Sequence, residues 1–237
     1  TIFNIVTTFL LLPVGTYLEK IAKKILPERE DENNGEMKLQ FISPTAVINH
    51  SFGGASVAIS QIHKEVNRMY DLAVYNVQLS FDQVLHWEEK KVAIVEQNEE
   101  YIDFLNAEIS KYISSIISAE MSEKDGKAIG MYLGIIGNVE RISDHAVNIS
   151  GYADLLKEKG SMLAETVEME VRDMKRVALG NLKNINMLED NITVTDLDNV
   201  IETEDKIDEM AVIYRENQLC RLLKNECKGD ISVIYSE

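Results

Sequence analysis

Glu140 and Asp144 are the residues in this chain whose type and spacing most readily do chemistry. They stand four apart, so on a helix they are neighbours on one face. Asn148 lies one turn further on. Oxygen-only donors at that spacing suit hard cations or iron rather than a thiolate zinc site. Two carboxylates so placed repel one another unless something cationic sits between them. The candidates are Arg141, a lysine or arginine from elsewhere in the chain, or a metal ion. The plain alternative is an exposed acidic patch paired with Arg141. The wheel places Leu133, Ile136, Gly137 and Val147 on the same side, opposite a stripe of Ile135, Val139, Ile142, Ala146 and Ile149. A helix apolar nearly all round is expected to be buried, and a lone carboxylate there is costly. Gly126, Gly130, Gly134 and Gly137 run along the flank of that face and predict the close approach of another element. Asp103 and Asp208 are ordinary surface acids, caps or further carboxylates of the site, and Asp103 completes the candidate ligand set.

Other chemistries find little support. None of His50, His63, His86 and His145 has a glutamate three residues before it, so the Glu-x-x-His motif of di-iron bundles is absent. No histidine lies four from another, no glycine-rich phosphate loop is present, and Ser143 falls inside a helix rather than at a nucleophile elbow. The formal charge of −16 argues against nucleic acid as a partner, since phosphate binding relies on Lys and Arg. It also disfavours adsorption on an anionic membrane surface. Cys220 and Cys227 form neither a CxxC half-site nor a disulfide framework, which points to a reducing compartment.

The elements that must position these residues are helical. The chain has three prolines, the last of them Pro44, so no proline punctuates the remainder, and an all-β fold is excluded on that ground. Ile59, Ile62, Val66, Met69 and Ala73 step at helical spacing within about 55–86. Val95, Ile102, Leu105, Ile109, Tyr112 and Ile116 do so within about 89–118, and a third helix is predicted at about 123–158. Ser122 with Asp125 reads as its start and Lys159-Gly160 as its stop. His86 and Trp87 close the turn between the first two helices.

The pattern then repeats. A shift of 105 residues carries Glu65-Val66-x-x-Met69 onto Glu170-Val171-x-x-Met174 and Asn76 onto Asn181. The same shift lays Glu99-Glu100-x-Ile102-Asp103 on Glu204-Asp205-x-Ile207-Asp208 and Asp125 on Asp230. The expected fold is therefore all-α, a duplicated three-helix up-down bundle with residues 55–160 as its first repeat and 161–237 as an incomplete second. Residues 29–54, polar and turn-rich at their start, read as a linker. Residues 1–28 differ from all of this. Thr1 to Leu18 carries no charged side chain, and Glu19, Lys20, Lys23 and Lys24 follow it. That pattern predicts the end of a membrane-spanning helix with cytoplasmic lysines, detached from the bundle, the alternative being a buried core helix.

At Glu140-Arg141-Ile142-Ser143-Asp144-His145-Ala146-Val147-Asn148-Ile149 the sequence resembles the PhoU family, with Ser143 where a glycine is usual. That resemblance implies a duplicated three-helix fold, with Glu140 and Asp144 as the metal-ligand positions of an ExxxD motif binding a divalent cation or iron. The stretch from Asn4-Ile5-Val6-Thr7-Thr8 through Leu11-Leu12-Pro13 looks like the last membrane segment of bacterial sodium/phosphate cotransporters, in which a PhoU-like domain follows the membrane part. The resemblance implies a non-catalytic regulatory domain, cytoplasmic, within a cell-membrane protein that moves sodium and phosphate. Its partner would be the transporter domain of the same protein. The competing readings are a carboxylate-bridged metalloenzyme and a purely structural or oligomerising bundle. With Val171, Met174, Ala178 and Leu182 short of a covering wall in the second repeat, homo-oligomerisation is expected.

Overall fold

The computed structural model describes residues 37–42, 54–117, 123–160, 162–185, 194–224, 226–227 and 229–236. The chain divides between Met37 and Lys38 into two units, and the described structure belongs almost wholly to the second, Lys38–Glu237. The expectations for residues 1–28 and for Ser122 lie outside the described residues. No strand occurs among the described residues. Among the described residues six helices follow one another: α1 Gly54–Leu85, α2 Glu89–Ile117, α3 Glu123–Glu158, α4 Glu165–Asn184, α5 Val194–Leu223 and α6 Gly229–Ser236.

The first three helices make one core. Only His86, Trp87 and Glu88 separate α1 from α2, a connection short enough to make them antiparallel neighbours. The turn is tied by side chains: Gln83 donates to the Glu88 carbonyl at 3.0 Å and accepts from its N–H at 2.7 Å. Trp87 Nε1 donates to Asp154 on α3 at 2.5 Å, with the Lys157 ammonium over its ring. The core itself is Ile62, Val66, Met69 and Ala73 of α1 with Ile102, Leu105, Ile109 and Ile113 of α2, all buried. From α3 come Ile129, Ile136 and Val139. α3 ends at a glycine in the left-handed region: Gly160 has φ of 58° and its N–H bonds the Lys157 carbonyl at 2.9 Å.

The rotation of α3 differs from expectation. Its buried line is Ile129, Ile136, Ser143 and Ser150, flanked by Val139, Ala146 and Ala153, while Ile135, Ile142 and Ile149 are only half-buried. Two serines occupy core positions, so counting apolar side chains alone places the stripe too far round the helix. The expectation that α3 is buried on all sides is corrected with it: Met131 is 70% exposed and Leu133 39%. The glycines are corrected too. A Cβ at Gly126, Gly130, Gly134 or Gly137 would meet nothing within 4 Å, because those positions face away from the three-helix core.

Beyond the core, α4 packs on α1, α5 on α4, and α6 on α5 and α3. Tyr70 on α1 donates its hydroxyl to the Leu182 carbonyl at 2.6 Å, and Lys175 of α4 pairs with Asp82 of α1 at 2.5 Å. Burial, and then the charge of Asp71, pushes the Tyr70 hydroxyl up to about 12. The 105-residue shift carries the bounds of α5 back to 89–118 and the start of α6 to 124, in register with α2 and α3. Val171, Met174, Ala178 and Leu182 are half-buried. On α5, Leu197, Ile201, Val212, Leu219 and Leu223 are each at least 48% exposed.

Candidate functional site

A helix that buries Ile136, Val139 and Ser143 must hold Glu140 at the rim of its inward face, and Asp144 further round. Glu140 is accordingly half-buried and Asp144 exposed. The same logic operates on α2. Ile102 and Leu105 point into the core, so Glu99 sits half-buried at the rim and Asp103 stands outside it. Two Glu-x-x-x-Asp pairs, 99–103 and 140–144, therefore line one seam between adjacent helices, each with its glutamate inward and its aspartate outward.

The two pairs feel one another. Burial raises the Glu140 carboxyl above the ordinary glutamate range, the charges of Asp144 and Asp103 raise it further, and Arg141 alone opposes them. Glu99 is raised by burial, by the charge of and a hydrogen bond with Asp103, and then by Asp144 and Glu100. The charges of Asp103 and Asp144 both reach Glu140. Glu99 was missed in the sequence, although it shows the same i, i+4 spacing to its aspartate that singles out Glu140. Asn148 is exposed one turn beyond Asp144. Their repeat equivalents Glu204 and Asp208 are exposed on α5.

Beneath the seam, α1 supplies a buried polar link. Asn76 Nδ2 donates to the Val95 carbonyl at 3.0 Å and lies 3.3 Å from Ser143 Oγ, while its Oδ1 accepts from Asn98 Nδ2 at 2.9 Å. Asn76, Ser80 and Ser143 are fully buried. One side chain thereby fixes the register of α2 and α3 at the level where both carry their acids.

The donor set fits a hard cation in kind, since every group offered is a carboxylate or amide oxygen. Among the described residues, no three of His, Cys, Asp and Glu converge closely enough to enclose one ion. The seam gathers charge without forming a closed cage. Cys220, exposed, and Cys227, half-buried, are free and lie away from it on α5 and the turn that follows.

The raised carboxyls have a consequence for stability. A carboxyl whose folded pKa lies above its unfolded value binds more protons when folded. Its penalty is absent at low pH and develops as pH rises from the unfolded value through the folded one. Glu140→Gln should therefore raise the melting temperature at pH 7, by about 1–2 °C for a rim group screened by solvent. The gain should vanish near pH 4, and thermal melts at the two pH values measure it.

Residues 66–153 match the PhoU domain family. The matched stretch begins in α1, includes all of α2 and reaches Ala153 of α3, so it holds both acid pairs and the Asn76 link, and it leaves α4 to α6 outside. No curated protein and no solved structure matches the chain.

Proposed function

We propose that this chain carries the non-catalytic regulatory domain of a sodium-dependent phosphate cotransporter. In this reading it acts in phosphate homeostasis by changing transport in the membrane domain of the same protein, from the cytoplasmic side. The observation that supports a role in phosphate homeostasis is the PhoU domain match over residues 66–153, which spans the three helices of the main core. The link to a transporter is supported by the uncharged run from Thr1 to Leu18, the lysines after it, and the resemblance of Asn4 to Pro13 to a cotransporter's last membrane segment. Among the described residues no helix is long and apolar enough to cross a membrane, so the bundle itself is not that membrane part.

The regulatory signal in this reading is a hard cation. Glu140 and Asp144 would hold it together with Glu99 and Asp103, and Asn148 would add an amide oxygen at the edge of the seam. Bound there, an ion offsets the burial and the neighbouring charges that raise Glu99 and Glu140 and draws α2 toward α3. The same proposal makes the protein a homo-oligomer through the exposed apolar face of α5, a state that sedimentation velocity measures directly.

Phosphate uptake tests the regulatory role. Cells producing the full-length protein, with and without residues 38–237, are compared at low and high external phosphate. The proposal expects deletion to alter how uptake responds to external phosphate while leaving the protein in the membrane. Identical responses at equal protein levels would end it.

A further inference from the structure

The bundle holds a short non-helical segment of its own chain by a device that the site above does not use. Glu65 on α1 is fully buried, yet it is a carboxylate. Its Oε2 accepts two successive backbone N–H groups, from Gln40 at 2.9 Å and from Phe41 at 2.7 Å. Its Oε1 is engaged by Arg68, three residues on along the same helix, through Nε at 2.8 Å and through a closer contact from the guanidinium Nη2. Arg68 also donates to the Tyr101 hydroxyl of α2 at 3.0 Å and lies over its ring. That hydroxyl in turn donates to the Lys38 carbonyl at 2.9 Å. Leu39 and Ile42 rest on the core, Ile42 almost completely buried.

We infer that residues 38–42 are a releasable strap, latched by Glu65, Arg68 and Tyr101, that leaves and rejoins the bundle without unfolding it. The argument is that both states are satisfied. With the strap in place, Glu65 has two amide donors and Arg68. With the strap gone, the carboxylate is open to water and keeps its ion pair, because Arg68 is on the same helix and does not leave. No buried charge is stranded, which is the usual obstacle to opening such a contact. The strap's polar contacts in this latch run to side chains rather than to helix backbone. Of the strap only Leu39 and Ile42 touch the core, whose other buried members, Ile62, Met69, Ile102, Ile109 and Ile136 among them, come from α1, α2 and α3. A segment that gives two side chains to the core and is otherwise held through side chains opens at lower free energy than the whole domain.

Release has a mechanical meaning. The strap is the first stretch of its unit, following directly on Met37. Freeing five residues lengthens the connection to the preceding chain by up to about 17 Å. Tyr101 lies between Glu99 and Asp103 on α2, so a shift of that helix acts on the seam and on the latch together. The inference stands whether or not the seam takes a cation.

Hydrogen exchange on the full chain, with limited trypsin cleavage after Lys38, tests it. In the parent protein the Gln40 and Phe41 amides should exchange well before those of Ile102 and Ile109. Glu65→Gln should speed the two strap amides about tenfold or more while the α2 core amides keep their protection. Cleavage after Lys38 should accelerate in parallel, since its carbonyl is part of the latch. If Glu65→Gln does not fold, Tyr101→Phe, which removes only a hydroxyl, should produce the same change in smaller degree. Strap amides that exchange no faster than the Ile102 and Ile109 amides would overturn the inference, as would variants that leave them unchanged.

Discussion

Replacing Arg221 by alanine should loosen α5 and α6 from α4 and cost about 3 kcal/mol, the range for breaking a buried ion pair by removing one partner. Glu170 on α4 is the carboxylate left behind, with its side chain 11% exposed and that of Arg221 12%. Arg221 binds it through two nitrogens, at 2.7 and 3.1 Å. Tyr235 of α6 donates to it at 2.6 Å and Asn217 at 2.9 Å. Four contacts on one carboxylate therefore join three helices. Burial alone pulls the Glu170 carboxyl up, and the hydrogen bonds from Arg221, Tyr235 and Asn217 overcome it and leave it below the ordinary range. An acid depressed on folding contributes stability that is fully present above its unfolded pKa and is lost as pH falls through the folded value. The junction should thus weaken on acidification below the ordinary glutamate range, and Arg221→Ala should remove that dependence. Hydrogen exchange should show the loss confined to α4, α5 and α6, with the α1–α3 core still protected. Uniform loss across all helices would mean that the two halves do not open separately.

Asn76→Ala should lower stability by about 2–3 kcal/mol, because it leaves the half-buried Asn98 amide and the buried Ser143 hydroxyl without their partner and opens a small void. For a chain of this size that is a fall of about 5–10 °C in melting temperature. Leucine at the same position should do no better, since it fills the space but satisfies neither polar group. A melt within 1–2 °C of the parent protein would show that water or a neighbouring side chain takes over the link. The expected fall exceeds that of an average surface change because three helices meet at this one amide.

The first repeat was legible in the sequence to within a residue or two at each helix end. Ile62, Val66 and Met69, then Ile102, Leu105 and Ile109, announce their faces by spacing alone, and Gly160 marks the stop of α3 where the backbone turns left-handed. The rotation of α3 was not legible, because Ser143 and Ser150 hold core positions that a count of apolar side chains skips. The acid pair at 140–144 stands out in the sequence by type and spacing, whereas Glu99 gains its neighbours only where α2 lies beside α3. Glu65 and Glu170 were aligned by the repeat, but their partners could not be read from it. One carboxylate takes backbone amides from a segment 24 and 25 residues away, and the other an arginine 51 residues on. The two acids share a repeat position but are satisfied by different partners.

Cation binding to the purified chain is the measurement that bears most directly on the acidic seam. Manganese is titrated under low-salt conditions and followed by electron paramagnetic resonance, with the parent protein beside the Glu140→Gln, Asp144→Asn double variant. The account predicts saturable binding by the parent that the double variant loses, and a weaker loss for Glu99→Gln from the facing helix. Parent and double variant with the same affinity and capacity would contradict it.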